Sequence, residues 1–397
     1  MPPTLKVLLL ITDAGGGHRA SADALKAACH PMDAALDVRV VNAYRDIWSK
    51  AEPLGRLTGV YGEDIYNFTL RHSLLGLAAG LRGVARRVAG APQARALSDG
   101  IAYVRSEKPA LCVSLMPFVN DTLAAVCAGA GVPLALVMTD LMDVAPFIWY
   151  TPKAVRSAVW VAAPCPEAAE QARGAGAGRV IESGLLLHPK YLDPGLRRLD
   201  RREARRRLGL DPELPTVLVS MGGFAGASVG SLVEGLDRVA RGLQVVVACG
   251  RNAGLLGALK ARPTRGNRVV PLGFTGDLHL YLRAADVMVG KPGPASVFEA
   301  AVAGTPMVLD AAAAMPQESP NAAWAGSRGW ARVVTRRRDL PTQVAELLAD
   351  RAALKSLERA VDAYAPSDAS AVLARAVSEA ARRVAPVEAS SRFARVP

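Results

Sequence analysis

Short, mostly apolar runs alternate along this chain with longer helix-forming stretches, and several of the junctions are glycines. The first run, Leu5, Val7, Leu8, Leu9, Leu10 and Ile11, breaks into Thr12-Asp13-Ala14-Gly15-Gly16-Gly17-His18-Arg19-Ala20-Ser21. Ala22, Ala24, Leu25, Lys26, Ala27 and Ala28 then favour a helix. The pattern predicts a buried strand, a glycine loop and a helix with His18 at its N-terminus. In open α/β sheets that point lies at the carboxyl edge of a strand, where ligands bind, and its unpaired N–H groups favour an anion. A lone histidine there either caps the turn or, with its pKa lowered by the helix dipole, serves as a neutral general base.

The second half repeats the arrangement. Pro215 to Met221 is an apolar run ending in Gly222-Gly223-Phe224-Ala225-Gly226-Ala227-Ser228, and Ser228 to Val239 carries a helical pattern. Further strands are predicted at Gln244 to Ala248, Arg268 to Leu272, Val287 to Val289 and Met307 to Leu309, with helices over Ala253 to Lys260 and Ala295 to Ala303. Alternating strands and helices imply parallel sheets, and 397 residues suffice for two domains. The predicted fold class is α/β, with two Rossmann-like domains of parallel sheet facing across a cleft.

Four segments carry a resemblance. They are the loop Gly15 to Ser21; the Gly222-Gly223 loop followed by Cys249-Gly250-Arg251-Asn252; Gly273-Phe274 with the Lys291-Pro292-Gly293 segment running to Glu299, Gly304 and Pro306; and Pro316-Gln317-Glu318 with Asn321. As a set, from about Lys6 to Val334, they resemble the GT-B glycosyltransferases of the group containing monogalactosyldiacylglycerol synthase, processive diacylglycerol glucosyltransferases and MurG. The resemblance implies transfer of a hexose from a UDP-sugar to a hydroxyl, with inversion at the anomeric carbon.

It also implies roles. Gly16, Gly17, Gly222, Gly223, Ala295 and Ser296 would present backbone N–H groups to the donor, chiefly its pyrophosphate. Glu299 would take the ribose hydroxyls, unless it is a solvated helix charge. Gln317 and Glu318 would bind the sugar, and Phe274 would clamp uracil unless it packs in the core. His18 is the first candidate for the base that an inverting displacement needs; Asp140, in the Thr139-Asp140 pair closing the apolar run Leu134 to Met138, is the alternative. No cofactor is expected, and the absence of an Asp-x-Asp motif argues against a required metal.

The acceptor is read from another pattern. Leu70, Leu74, Leu77, Leu81, Val84 and Val88 recur at near-helical spacing, Arg82, Arg86 and Arg87 take other faces, and Ile65 to Leu97 holds no acidic residue. Such a segment suits an anionic membrane surface, or else a surface helix packing its leucines on its own domain. A lipid acceptor fits the first alternative, and the resemblance implies that it is diacylglycerol. A net charge of +12 suits an anionic partner. Much of it lies in Arg197, Arg198, Arg201, Arg202, Arg205, Arg206 and Arg207, which reads as a solvated helix opening the second domain. Nucleic acid is disfavoured by aromatic content of 5% and the lack of a recognisable binding motif.

The uncharged stretch Thr122 to Thr139 is broken by Gly129, Gly131 and Pro133, so it reads as helix, turn and strand rather than a bilayer span. Five scattered cysteines without Cys-x-x-Cys fit reduced thiols. A cytoplasmic protein bound peripherally to the inner membrane face is expected. The domains are placed at 1–190 and 191–385 with a tail at 386–397, and single helices are predicted over Leu340 to Asp362 and Ser367 to Val384. Ala145-Pro146, Leu186, His188 and Pro294 depart from the family pattern. The remaining alternatives are a UDP-sugar epimerase or hydrolase of the same fold, transfer to a polyprenyl-linked or other acceptor, or a non-catalytic binding module.

Overall fold

The computed structural model describes residues 4–13, 16–49, 63–64, 94–144, 149–222, 228–263 and 266–384. Two six-stranded sheets organise them. The first holds β1 (Leu5–Ile11), β2 (Leu36–Asn42), β3 (Leu111–Ser114), β4 (Leu134–Val137), β5 (Val161–Ala163) and β6 (Val180–Glu182) in the order β2-β1-β3-β4-β5-β6. The second holds β7 (Thr216–Ser220), β8 (Gln244–Ala248), β9 (Arg268–Leu272), β10 (Val287–Gly290), β11 (Met307–Asp310) and β12 (Ala331–Val334) in the order β12-β11-β10-β7-β8-β9. Every pairing is parallel. Helices cover both faces of such sheets, so β3, β7, β10 and β11 are buried along their whole length. The two-domain α/β prediction holds.

Each strand order reverses once, between β1 and β3 in the first sheet and between β7 and β10 in the second. A crevice opens at the carboxyl edge where neighbouring strands send their connections to opposite sides. The glycine loops before His18 and at Gly222 leave the sheets at these two points. At the second, the strands approach so closely that a Cβ on Gly290 would lie 2.6 Å from the Ser220 carbonyl oxygen, which requires glycine there.

Helices depart from the sequence reading in two places. The stretch Leu340 to Asp362 forms two helices, Leu340–Ala349 and Arg351–Asp362, because the Asp350 carboxylate accepts from the Ala352 and Ala353 amides and caps a new start. The arginine run likewise forms two short helices, Pro194–Arg198 and Arg201–Arg207, and only part of it is a solvated face: Arg198, Arg202, Arg206 and Arg207 are exposed, while Arg197, Arg201 and Arg205 turn inward. Arg197 donates to the carbonyls of Ala301, Val302, Val361, Asp362 and Tyr364. Arg205 is buried and donates to the Ala284 and Pro212 carbonyls and to Asp286. Most of these carbonyls lie at or just past helix ends, where the helix itself leaves acceptor capacity open.

The closing helix, Ala369–Val384, packs on the helix Gly17–Met32 and on β1 and β3, so the chain returns to the first sheet. Arg382 and Ser378 fix it to Asp33 with bonds of 2.6–2.8 Å. Between the domains, Arg328 forms a 2.7 Å ion pair with Glu167. No helix among the described residues is long and apolar enough to cross a membrane. The segment 65–93, with Arg82, Arg86 and Arg87, lies outside the described residues, as do Gly223, Ala145 and Pro146.

Candidate active site

The first cluster sits at the carboxyl edge of the first sheet. Gly16 adopts a left-handed conformation (φ +82°) that favours glycine, and it lets the chain turn from β1 into the helix Gly17–Met32. Among the described residues, no atom lies within 4 Å of the positions a Cβ would take on Gly16 or Gly17. His18 Nδ1 lies 2.9 Å from the Thr139 hydroxyl. Burial pushes its imidazole down to about 4, against the pull of the Leu115 backbone and the Asp13 charge.

Next to Thr139, the Asp140 carboxylate accepts a 2.8 Å bond from the Trp149 indole. Trp149 is 1% exposed, its ring centroid is 6.0 Å from that of His18, and its carbonyl accepts from Asn120. Asp140 is pushed up to about 6, first by burial. The Trp149 N–H opposes this shift; Glu318 of the second domain reinforces it and Lys291 opposes it. The carboxyl edges of the two sheets therefore face one another across the cleft.

The second cluster is built where β7 and β10 diverge. Gly222 is left-handed (φ +87°), and Gly293 caps the helix Pro294–Ala303, whose first turn carries Ala295 and Ser296. Pro294 stands at the first helical position, where the missing N–H removes no helix bond. The Lys291 ammonium is paired with Glu318, whose other carboxylate oxygen accepts from the Met315 amide at 2.9 Å. Gln317 is half-buried beside Glu318 on the same turn, Pro316–Glu318.

Glu299 stands one turn into the helix, within hydrogen-bonding reach of Tyr191 from the interdomain linker. Burial raises its carboxyl to about 7, opposed by Tyr191 and by the charge of Lys190. It is thus not the solvated helix charge offered as the alternative. Phe274 is 72% exposed, which excludes core packing, and the Arg251 guanidinium lies 4.9 Å over its ring. His188 accepts from the Lys190 amide and caps the linker turn, while Leu186 is buried in the first domain.

The structure thus joins His18 and Asp140 on one wall, and Gly222, the helix N-terminus and Glu318 on the other. The sequence reading omits Lys291 and Trp149 as site residues. Lys291 is detectable as the polar residue directly after an apolar strand, whereas nothing in local spacing marks Trp149 as a partner of Asp140.

Comparison with known proteins agrees with the motifs. Residues 217–373 match the Glycosyltransferase family 28 C-terminal domain. The probable monogalactosyldiacylglycerol synthase 2, chloroplastic, of Oryza sativa subsp. japonica is 29% identical over 77% of this chain and 65% of its own length. The processive diacylglycerol beta-glucosyltransferase of Staphylococcus epidermidis is 27% identical over 62% of this chain and 59% of its own. The chain thus spans less than two thirds of the curated relatives it matches. The crystal structure of Acinetobacter baumannii MurG superposes with a TM-score of 0.64 at 15% identity, covering 94% of this chain and 99% of that one. The fold is GT-B, and the resemblance to GT-B glycosyltransferases stands in both sequence and fold.

Proposed function

We propose that this protein is an inverting glycosyltransferase that moves a hexose from a UDP-sugar to diacylglycerol. The observation that carries this reading is the opposition of two functional walls. Asp140 and His18 on one side face the Lys291–Glu318 pair and the N-terminus of Pro294–Ala303 on the other. The two sequence relatives differ in the sugar their names give, and both names contain diacylglycerol. Diacylglycerol is therefore the acceptor proposed, with galactose or glucose as the hexose.

In this reading the donor lies along the second wall. Phe274 stacks on uracil, Glu299 accepts from the ribose hydroxyls, and the amides near Gly222 and at the helix start hold the diphosphate. Gln317 and Glu318 bind the sugar. The acceptor hydroxyl enters from the first wall, its oxygen bonds to the anomeric carbon, and its proton passes to His18 or Asp140. The bond from carbon to the β-phosphate oxygen breaks, and its electron pair leaves with UDP. Thr139 and Trp149 hold the two candidate bases in place.

The acceptor dissolves in a membrane, so the enzyme must reach the surface. The basic segment with Arg82, Arg86 and Arg87 is assigned to the anionic inner face, each cation contributing about 1 kcal/mol. Two experiments test this reading. Release of UDP from UDP-galactose or UDP-glucose should require diacylglycerol vesicles; release without them would favour a hydrolase. Leu74→Glu with Leu81→Glu should free the folded protein from anionic vesicles, and unchanged binding would reject the membrane role of that segment.

A further inference from the structure

Lys291 has no role among the groups assigned above, although its position is distinctive. It follows β10 directly, and its side chain crosses the second glycine turn: a Cβ on Gly222 would stand 3.3 Å from Lys291 Cε. A Cβ on Gly293 would stand 3.7 Å from the Lys291 Nζ and 3.4 Å from Glu318 Oε1. The ammonium thus sits beside the residue that caps Pro294–Ala303, where unpaired amides already attract negative charge. Asn321, 1% exposed, donates to the Pro292 carbonyl at 2.9 Å and steadies the intervening turn. The carboxylate paired with Lys291 belongs to Glu318, which the donor reading needs for the sugar.

We propose that the Lys291–Glu318 pair exchanges partners on donor binding: the diphosphate takes the Lys291 ammonium, and the released Glu318 carboxylate turns to the hexose hydroxyls. The proposal rests on the nucleotide-sugar reading and adds to it a binding order, diphosphate before sugar. It makes Lys291 the cation that balances the charge arriving on the leaving diphosphate when the glycosidic bond breaks. An ammonium there is already partly buried beside the helix N-terminus, so little reorganisation accompanies the step.

Calorimetric titration of the whole protein with uridine, UDP and inorganic pyrophosphate tests it. Lys291→Gln should weaken UDP and pyrophosphate roughly 10- to 100-fold, the loss of a hydrogen bond between charged groups, and leave uridine unchanged. Lys291→Arg should keep most of the UDP affinity. Glu318→Gln should tighten pyrophosphate, because it removes the carboxylate that competes for the ammonium. Equal losses for uridine and UDP in Lys291→Gln would show a merely structural lysine and overturn the proposal. So would weaker pyrophosphate binding in folded Glu318→Gln. If wild-type protein binds UDP and Lys291→Gln binds it equally, only this inference falls; if wild-type protein binds no UDP, the donor reading falls with it.

Discussion

The Nδ1 of His18 stands 2.9 Å from the hydroxyl of Thr139, a residue 121 positions further along the chain. That contact ties the glycine loop after β1 to the end of β4 and places His18 next to Asp140. Both groups suit proton abstraction, and their acidities differ enough to tell them apart.

The pH dependence of kcat/KM, which follows the groups of the free protein, should identify the base. Either group accepts a proton only when deprotonated, so activity rises with pH and then levels off. If Asp140 is the base, the rise is centred at about 6; if His18 is, at about 4. Asp140→Asn should raise thermal stability near neutral pH while lowering turnover. A carboxyl whose folded pKa is raised binds more protons folded than unfolded, so its charged form lowers stability as pH rises from 3.8 through about 6.

Glu299 should make UDP binding depend on pH. With its carboxyl raised to about 7, much of it is protonated in the free protein at neutral pH, and ribose hydroxyls donate only to the charged form fully. Affinity should therefore increase from pH 6 to 8, with a proton released on binding, as calorimetry in buffers of different ionisation enthalpy would show. Glu299→Gln should weaken UDP by about 1.5–3 kcal/mol and abolish the proton release.

Phe274→Ala should separate binding from folding. The ring is 72% exposed, so the free energy of unfolding should change by no more than about 0.5 kcal/mol. Uridine affinity should fall by about 1–3 kcal/mol, the contribution of a base stacked on an aromatic ring.

Metal removal should have no effect. The diphosphate is assigned to backbone amides at a helix N-terminus and to a lysine, and EDTA should leave initial rates with UDP-hexose unchanged. A rate that collapses and returns with added magnesium would refute that assignment.

The strands β1, β4 and β7 to β11 are legible because a parallel strand covered on both faces is a mostly apolar run, as at Leu5–Ile11 and Thr216–Ser220. By contrast β2, β3, β5, β6 and β12, which are three or four residues long or carry charges, are not marked out in the sequence reading. The glycine turns are legible because Gly16 and Gly222 need left-handed backbone. The break at Asp350 is hidden inside a continuous leucine and alanine pattern, since one carboxylate caps it locally. The arginine run misleads because charge suggests solvent, while the carbonyls that receive Arg197 lie more than 100 residues away. The bonds of Trp149 to Asp140 and Lys291 to Glu318 are hidden for another reason: each joins residues of connecting segments within one domain, 9 and 27 positions apart, where no helical or strand period sets the spacing.

The central claim is that the facing walls join a UDP-sugar to a lipid. The most direct measurement incubates the purified protein with diacylglycerol vesicles and either UDP-galactose or UDP-glucose, and follows UDP and the lipid fraction by mass spectrometry. A lipid that gains one hexose for each UDP released, with the product lost in the His18→Ala, Asp140→Asn double variant, is the predicted result. UDP release or sugar isomerisation without a glycosylated lipid would contradict it.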